Sequence, residues 1–203
     1  MNYSRFNTIT PETVIAAYEN NKYPLFTKGE YNMNLFGIRN EADRDSERFN
    51  DMIGLLYKVN EKWVLKKYDA TVDPSVQYRK NPMNEEAGTA IVVPGYYKKA
   101  FVVGLHRGKY EALRQNTPLK LYRDTNRDSK LDFENIHTEM AGINVHRAAY
   151  NGKSEFIGPH SAGCQVIADI EDFKEFMELI NKSAAIFGKT FSYALFTESQ
   201  FFG

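Results

Sequence analysis

The 203 residues include one cysteine, one tryptophan and four histidines, and no run of apolar residues is long enough to span a bilayer. A single cysteine excludes an internal disulfide and a thiolate metal cage, so Cys164 is either a buried thiol or a reactive one. Net charge is also lacking, because 26 Lys and Arg offset 26 Asp and Glu, and no overall field draws the chain to nucleic acid or to an anionic membrane. The opening MNYSRFNTITPETV has neither the basic start nor the apolar run of a secretory signal. The expectation is a protein made in the cytoplasm, with no nucleic-acid partner and no membrane insertion. A substrate outside the membrane would then require delivery by a phage holin or a virion. Composition leaves the oligomeric state open.

Repeats, linkers and low-complexity stretches are missing too, and the length suits one core, which points to one domain. Thr10-Pro11-Glu12 places a capping residue before proline at a first helical position and predicts a short N-terminal helix. Met33 to Ile38, Met52 to Val59 and Trp63 to Ala70 read as strands, with Val59-Asn60-Glu61-Lys62 as a hairpin turn. A long loop through Asp73-Pro74 and Asn81-Pro82 precedes further strands at Gly88 to Val93, Ala100 to Leu105, Leu119 to Tyr122, Gly142 to His146 and Cys164 to Ile167. From Ile170 to Phe187 the apolar residues recur every three or four positions and Gly188 follows, which predicts a helix. Phe191 to Phe196 alternates as a closing strand. The fold class expected is mostly β, a β-rich α+β domain with helices at both ends.

His146 closes one of these strands, and Ser161-Ala162-Gly163-Cys164-Gln165-Val166 begins 15 residues later. A thiol attacks as thiolate, and imidazole is the side chain best tuned to activate it near neutral pH. Gly163, lacking a side chain, would let a substrate carbonyl approach backbone N–H groups able to stabilise an oxyanion. A lone cysteine is commonly a small buried hydrophobe; it is the combination of Cys164, His146 and Ser-x-Gly that points to catalysis. Asn144 shares the strand face of His146 by the period-two rule and is expected to line the pocket. Arg147 suits a substrate carboxylate, a solvated surface position being the alternative. His106, at the end of another apolar strand, is a candidate second acid, base or substrate contact.

These residues resemble the motif of the L,D-transpeptidase (YkuD-like) family of peptidoglycan enzymes: a leading His, a spacer, then Ser/Thr-His-Gly-Cys, a hydrophobic residue and Arg or Asn. His146, Ser161, Gly163 and Cys164 match; Ala162, Gln165 and Val166 depart from it. His160 stands two residues before the position of the motif His. The segments Asn-Pro-Met-Asn, Gly-Thr-Ala-Ile, Tyr-Arg-Asp, Asn-Val-His-Arg-Ala and Ser-Ala-Gly-Cys-Gln-Val are similar to phage and bacterial proteins of this superfamily. The resemblance implies a β-sandwich or barrel over 1–203, with residues 1–31 as an N-terminal helical extension and 88–196 as the motif-bearing part. It implies Cys164 as nucleophile, His146 as base, and Ser161 and the Gly163 to Cys164 backbone as parts of the catalytic turn; beside it, Arg147, Asn144, His106 and His160 are the candidate substrate contacts, His160 as a partial replacement for the motif His. The activity implied is hydrolysis or transpeptidation of peptidoglycan stem peptides through a thioacyl-enzyme, in phage lysis, host penetration or cell-wall modification, with no cofactor needed for the chemistry. The alternative is a non-catalytic cell-wall-binding or virion structural module on the same fold.

A second pattern lies between two predicted strands. Asp124, Asn126, Asp128 and Asp132 put oxygen side chains at positions 1, 3, 5 and 9 of a calcium-type loop, with the Lys130 carbonyl at position 7. Ser129 replaces the glycine of position 6, and Asn135 stands where a bidentate Glu would be. The two readings are a structural Ca²⁺ site and an Asx-rich turn.

Overall fold

The computed structural model describes residues 4–43 and 47–203; the first three residues of the expected N-terminal extension lie outside them. Helices α1 (Ser4–Asn7) and α2 (Pro11–Asn20) precede strands β1 (Asn34–Arg39), β2 (Asp51–Val59) and β3 (Lys62–Thr71). Helix α3 (Val76–Lys80), β4 (Thr89–Val92), β5 (Gly95–His106), β6 (Tyr110–Gln115), β7 (Leu119–Asp124), β8 (His137–Glu139), β9 (Val145–Arg147) and β10 (Gln165–Ile167) follow. Helix α4 (Ile170–Phe187), β11 (Thr190–Thr197) and α5 (Glu198–Phe202) end the chain.

Eight strands close a barrel in the order β1-β11-β5-β6-β9-β10-β3-β2, and β4-β7-β8 form a separate three-stranded sheet. The fold is thus β-rich α+β, as expected. Two barrel pairs are parallel, β1 with β11 and β9 with β10; the other pairs, and those of the small sheet, are antiparallel. No helix among the described residues is long and apolar enough to cross a membrane.

The near-continuous apolar runs of β1, β2 and β11 have a simple cause: both faces are covered. Leu35, Leu55, Tyr193 and Leu195 join one cluster with Phe173, Phe176, Met177 and Ile180 of α4. Their neighbours Phe36, Leu56, Ala194 and Phe196 point the other way, onto Val14, Ala17 and Tyr18 of α2 and Phe201 of α5. Local chemistry sets the element ends. Thr10 and Thr13 form a reciprocal capping box on α2, and Asp169 caps α4 by accepting the Glu171 N–H at 2.8 Å. In the β2–β3 hairpin, Asn60 and Glu61 take the left-handed conformation at φ 49° and 60°, the two-residue turn whose twist matches paired strands.

Three expectations shift. Gly142 to Asn144 is not strand: Gly142 has φ +76°, and the next two amides donate to side chains, Ile143 N–H to Gln115 Oε1 (2.9 Å) and Asn144 N–H to Cys164 Sγ (3.4 Å). Likewise Cys164 itself precedes β10, and the long loop after Asp73 contains α3, capped by Ser75.

A buried polar network crosses the barrel end. Arg39 donates from Nε to Asp73 Oδ1 at 2.9 Å and from Nη2 to Val92 O at 2.8 Å. Asp51 accepts the Asn40 and Val72 N–H groups, both at 2.8 Å. Burial, and then the neighbouring Asp73, push the Asp51 carboxyl up to about 7. A carboxyl raised in the folded state gives stability that is full below its unfolded pKa and is lost as pH rises through about 7. Replacing Arg39 by Met strips the guanidinium that is hydrogen-bonded to Asp73 and whose charge also acts on Asp51. We expect Arg39→Met to cost about 3–5 kcal/mol in urea unfolding at pH 8 and clearly less at pH 5, where the carboxyl is protonated; a pH-independent loss would contradict this.

Candidate active site

β9 and β10 run parallel with Val145 opposite Gln165 and His146 opposite Val166, so Asn144 falls beside Cys164. The period of two then puts Cys164 and His146 on one face, two positions apart along the pair. Both line a cleft of about 500 Å³, together with His106, Arg107, Asn144 and His160. The structure therefore brings together the two principal residues singled out in the sequence and three of the four proposed substrate contacts. Tyr110–Gln115 pairs with β5 and places His106 at the hairpin end, directly before Arg107 (φ 49°) and Gly108 (φ 71°).

Asn144 organises the site. Its backbone N–H donates to Cys164 Sγ at 3.4 Å, and its backbone oxygen accepts the Gln165 N–H at 2.9 Å. Its side-chain Oδ1 accepts the Gln115 N–H at 3.1 Å, which leaves Nδ2 facing His106 Nδ1 at 3.2 Å. An amide NH₂ only donates, so Nδ1 of His106 is the acceptor and its proton sits on Nε2. His146 has the opposite tautomer: Nδ1 lies 2.8 Å from the Arg147 carbonyl, which only accepts, so Nδ1 carries the proton and Nε2 is left to take one. The two rings stack with centroids 4.2 Å apart.

Electrostatics keep the pair uncharged in the free protein. Burial, then His106, bring His146 down to about 3. Burial also lowers His106, with Arg107 next in effect, and burial alone lowers His160. The Cys164 thiol is pushed up by burial, opposed by the Asn144 N–H and by the Arg107 charge. The cleft thus holds a neutral thiol, whose Sγ faces the Asn144 N–H and donates to the Gly142 carbonyl at 3.7 Å, and a neutral imidazole, not a preformed thiolate–imidazolium pair.

The turn bearing Cys164 is held from within. Ser161 is fully buried; its hydroxyl donates to Cys164 O at 2.8 Å and accepts the Gly163 N–H at 3.2 Å. Ser161 and Gly163 therefore shape the turn and stand outside the cleft lining, while the Cys164 N–H donates to no group among the described residues and is the candidate oxyanion donor. Gly163 has φ +120°, and a Cβ there would lie 2.3 Å from the Ala90 carbonyl oxygen, so only glycine fits.

Arg147 takes a different place from its proposed one. Its guanidinium lies between the rings of Tyr110 and Tyr150, 4.2 and 4.0 Å from their centroids, and donates to Ala149 O at 3.1 Å. It lines an adjoining recess of about 230 Å³ that shares His106, His146 and His160 with the main cleft. The cation at the thiol is Arg107, which sequence reading passed over although it follows His106 directly. Gln115, Gln165 and Arg123 also take parts that the sequence does not announce. Gln115 grips the cleft wall by donating from Nε2 to Thr117 O (3.0 Å) and Glu139 O (2.9 Å). Gln165, where the family motif has a hydrophobic residue, is fully buried and accepts the Tyr193 hydroxyl at 2.7 Å while donating to Val72 O and Gly163 O, each at 3.3 Å. Arg123, paired with Glu139 by two bonds of 2.9 and 2.7 Å, forms the far wall.

The sign of the thiol shift is directly measurable. Alkylation of Cys164 by iodoacetamide should titrate with a midpoint above the ordinary thiol value of about 8.5, Arg107→Ala should raise it further, and His146→Ala should not raise it. A midpoint below 8 that climbs on loss of His146 would show an ion pair instead.

In comparisons with known proteins, the chain matches no family model, no curated protein and no solved structure.

Proposed function

We propose that the protein is a cysteine acyl-transfer enzyme of the L,D-transpeptidase-like kind, acting on peptidoglycan stem peptides. The observation that supports it is a thiol and an imidazole with a proton-accepting Nε2 lining one cleft, the thiol held by the Asn144 N–H and the imidazole by the Arg147 carbonyl. In this reading a scissile carbonyl binds over Cys164, and substrate binding brings the thiol and the imidazole into reach of one another across the cleft. Sγ attacks the carbonyl carbon as His146 Nε2 takes the thiol proton, so charge develops only as the bond forms. The tetrahedral oxyanion is stabilised by the Cys164 N–H, with the Arg107 guanidinium adding positive potential. Collapse expels the amine, which receives the proton from His146, and leaves a thioester on Cys164. Water gives hydrolysis; a second amine gives transfer. Phage lysis, host penetration and cell-wall modification are the settings in which either outcome serves. No cofactor enters these steps.

A second reading, a non-catalytic wall-binding or virion structural module, draws on the same electrostatics: burial raises the thiol and lowers the imidazole, and Ala162 and Val166 replace polar motif positions. Purified sacculi separate the two. The enzyme reading expects new muropeptides by liquid chromatography and mass spectrometry, an acid-trapped acyl adduct on Cys164, and at least a hundredfold loss in Cys164→Ser, in line with removal of a covalent nucleophile. Sacculus binding that is equal in both proteins, with no product and no adduct, would establish the binding module.

A further inference from the structure

We infer that the β7–β8 connection, residues 124–132, is a calcium site built on Asp124, Asn126, Asp128, the Lys130 carbonyl and Asp132. The spacing alone is equally that of an Asx-rich turn; what decides is the state of Asp124. This residue ends β7, is 1% exposed, and among the described residues neither of its carboxylate oxygens closes a hydrogen bond, although the backbone N–H groups of Asn126 and Asp132 act on it from within the loop. An ionised carboxylate buried without a partner carries a large desolvation penalty, so such groups are otherwise paired or bound to metal.

The cations nearby are turned elsewhere. Arg123 is committed to Glu139 and to Gly88 O at 2.9 Å, and Arg127 donates to Glu85 O at 3.2 Å. Among the described residues no three His, Cys, Asp or Glu side chains stand close enough to hold an ion as they are. In their midst the amide nitrogen of Asn126 donates to both Asp128 and Asp132, filling the place between the carboxylates that a cation would take. Turning that amide over would exchange the bond its oxygen accepts from the Asp128 N–H at 3.0 Å for a place as the ligand of position 3. Hard oxygen donors at alternating positions of an exposed loop suit Ca²⁺ rather than a transition metal. Without a glycine at position 6 and a bidentate Glu at position 12, affinity belongs to the weak class of about 10⁻⁴–10⁻³ M.

The ion would act on the cleft through structure. β7 and β8 pair through Leu119 with Glu139 and Leu121 with His137, and Arg123 on β7 grips Glu139 on β8. A cation closing their connection fixes the wall that both residues give to the cleft. The site does not rest on the enzymatic proposal.

The test is calorimetric titration of chelator-stripped protein with CaCl₂, beside thermal unfolding at matched ionic strength. One site is expected, with a Tm rise of roughly 3–6 °C at about 10 mM Ca²⁺ for a chain of this size, and a smaller rise with MgCl₂. Asp124→Asn should raise the Tm of the calcium-free protein, since it neutralises the orphaned carboxylate, and abolish the calcium response. Asp128→Asn, on the exposed tip, should fold normally and weaken calcium binding at least tenfold. Absence of heat and of any Tm change up to 10 mM Ca²⁺, or an undiminished response in Asp128→Asn, would overturn the proposal.

Discussion

Four hydrogen bonds converge on Asn144, and the chemistry of the cleft depends on them. Its backbone reaches Cys164 Sγ and the Gln165 N–H, while its side chain is clamped between the Gln115 N–H and His106 Nδ1. One residue thereby couples β6, the β5–β6 hairpin, β9 and the thiol turn. Because an amide has a donor end and an acceptor end, the Gln115 N–H decides which end meets His106, and hence which tautomer His106 holds. His106 in turn stacks on His146 and depresses its basicity. A backbone donor on the adjoining strand thus sets the proton position of His106, the ring stacked on the candidate base.

Buried polar groups elsewhere serve the same end. Gln165 joins the Tyr193 hydroxyl to Val72 O and Gly163 O, and Arg39 joins Asp73 to Val92 O. In a barrel filled by Leu, Ile, Phe and Tyr side chains, each satisfied polar group fixes one register and one loop path, since shifting it would leave a buried donor or acceptor alone. The loop before α3 and the thiol turn are both fastened to the barrel in this way, and the Ser75 N–H adds a bond to Ser161 O at 3.0 Å. The cleft therefore stands on the rigid barrel although its residues lie at strand ends and in loops.

Long apolar strands, the capped N-terminal helix and the periodic helix ending at Gly188 were legible because burial imprints a period of two or 3.6 on sequence. β6 was not, since Tyr-Glu-Ala-Leu-Arg-Gln carries residues that favour helix and only pairing with β5 makes it a strand. β8 has three residues, all at least partly exposed, and leaves no pattern to find. At the site, Cys164 and His146 could be read from residue type and spacing, and the cleft does contain both. The roles of Gln115, Arg107 and Gln165 could not, because each depends on a partner far along the chain. Arg147 shows the limit in the other direction: a charged residue next to the candidate base is drawn aside by two tyrosines that no local pattern announces.

The most direct test of this account is the ¹⁵N spectrum of the imidazole rings between pH 7 and pH 5. With His146 brought down to about 3, the account predicts a neutral His146 ring throughout, protonated on Nδ1, and a His106 that titrates below the ordinary imidazole value with its neutral form protonated on Nε2. Gln115 binds through its backbone, so Asn144→Ala should release the His106 tautomer while leaving that of His146. An imidazolium signature for His146 at pH 7, or the reversed pair of tautomers, would contradict it.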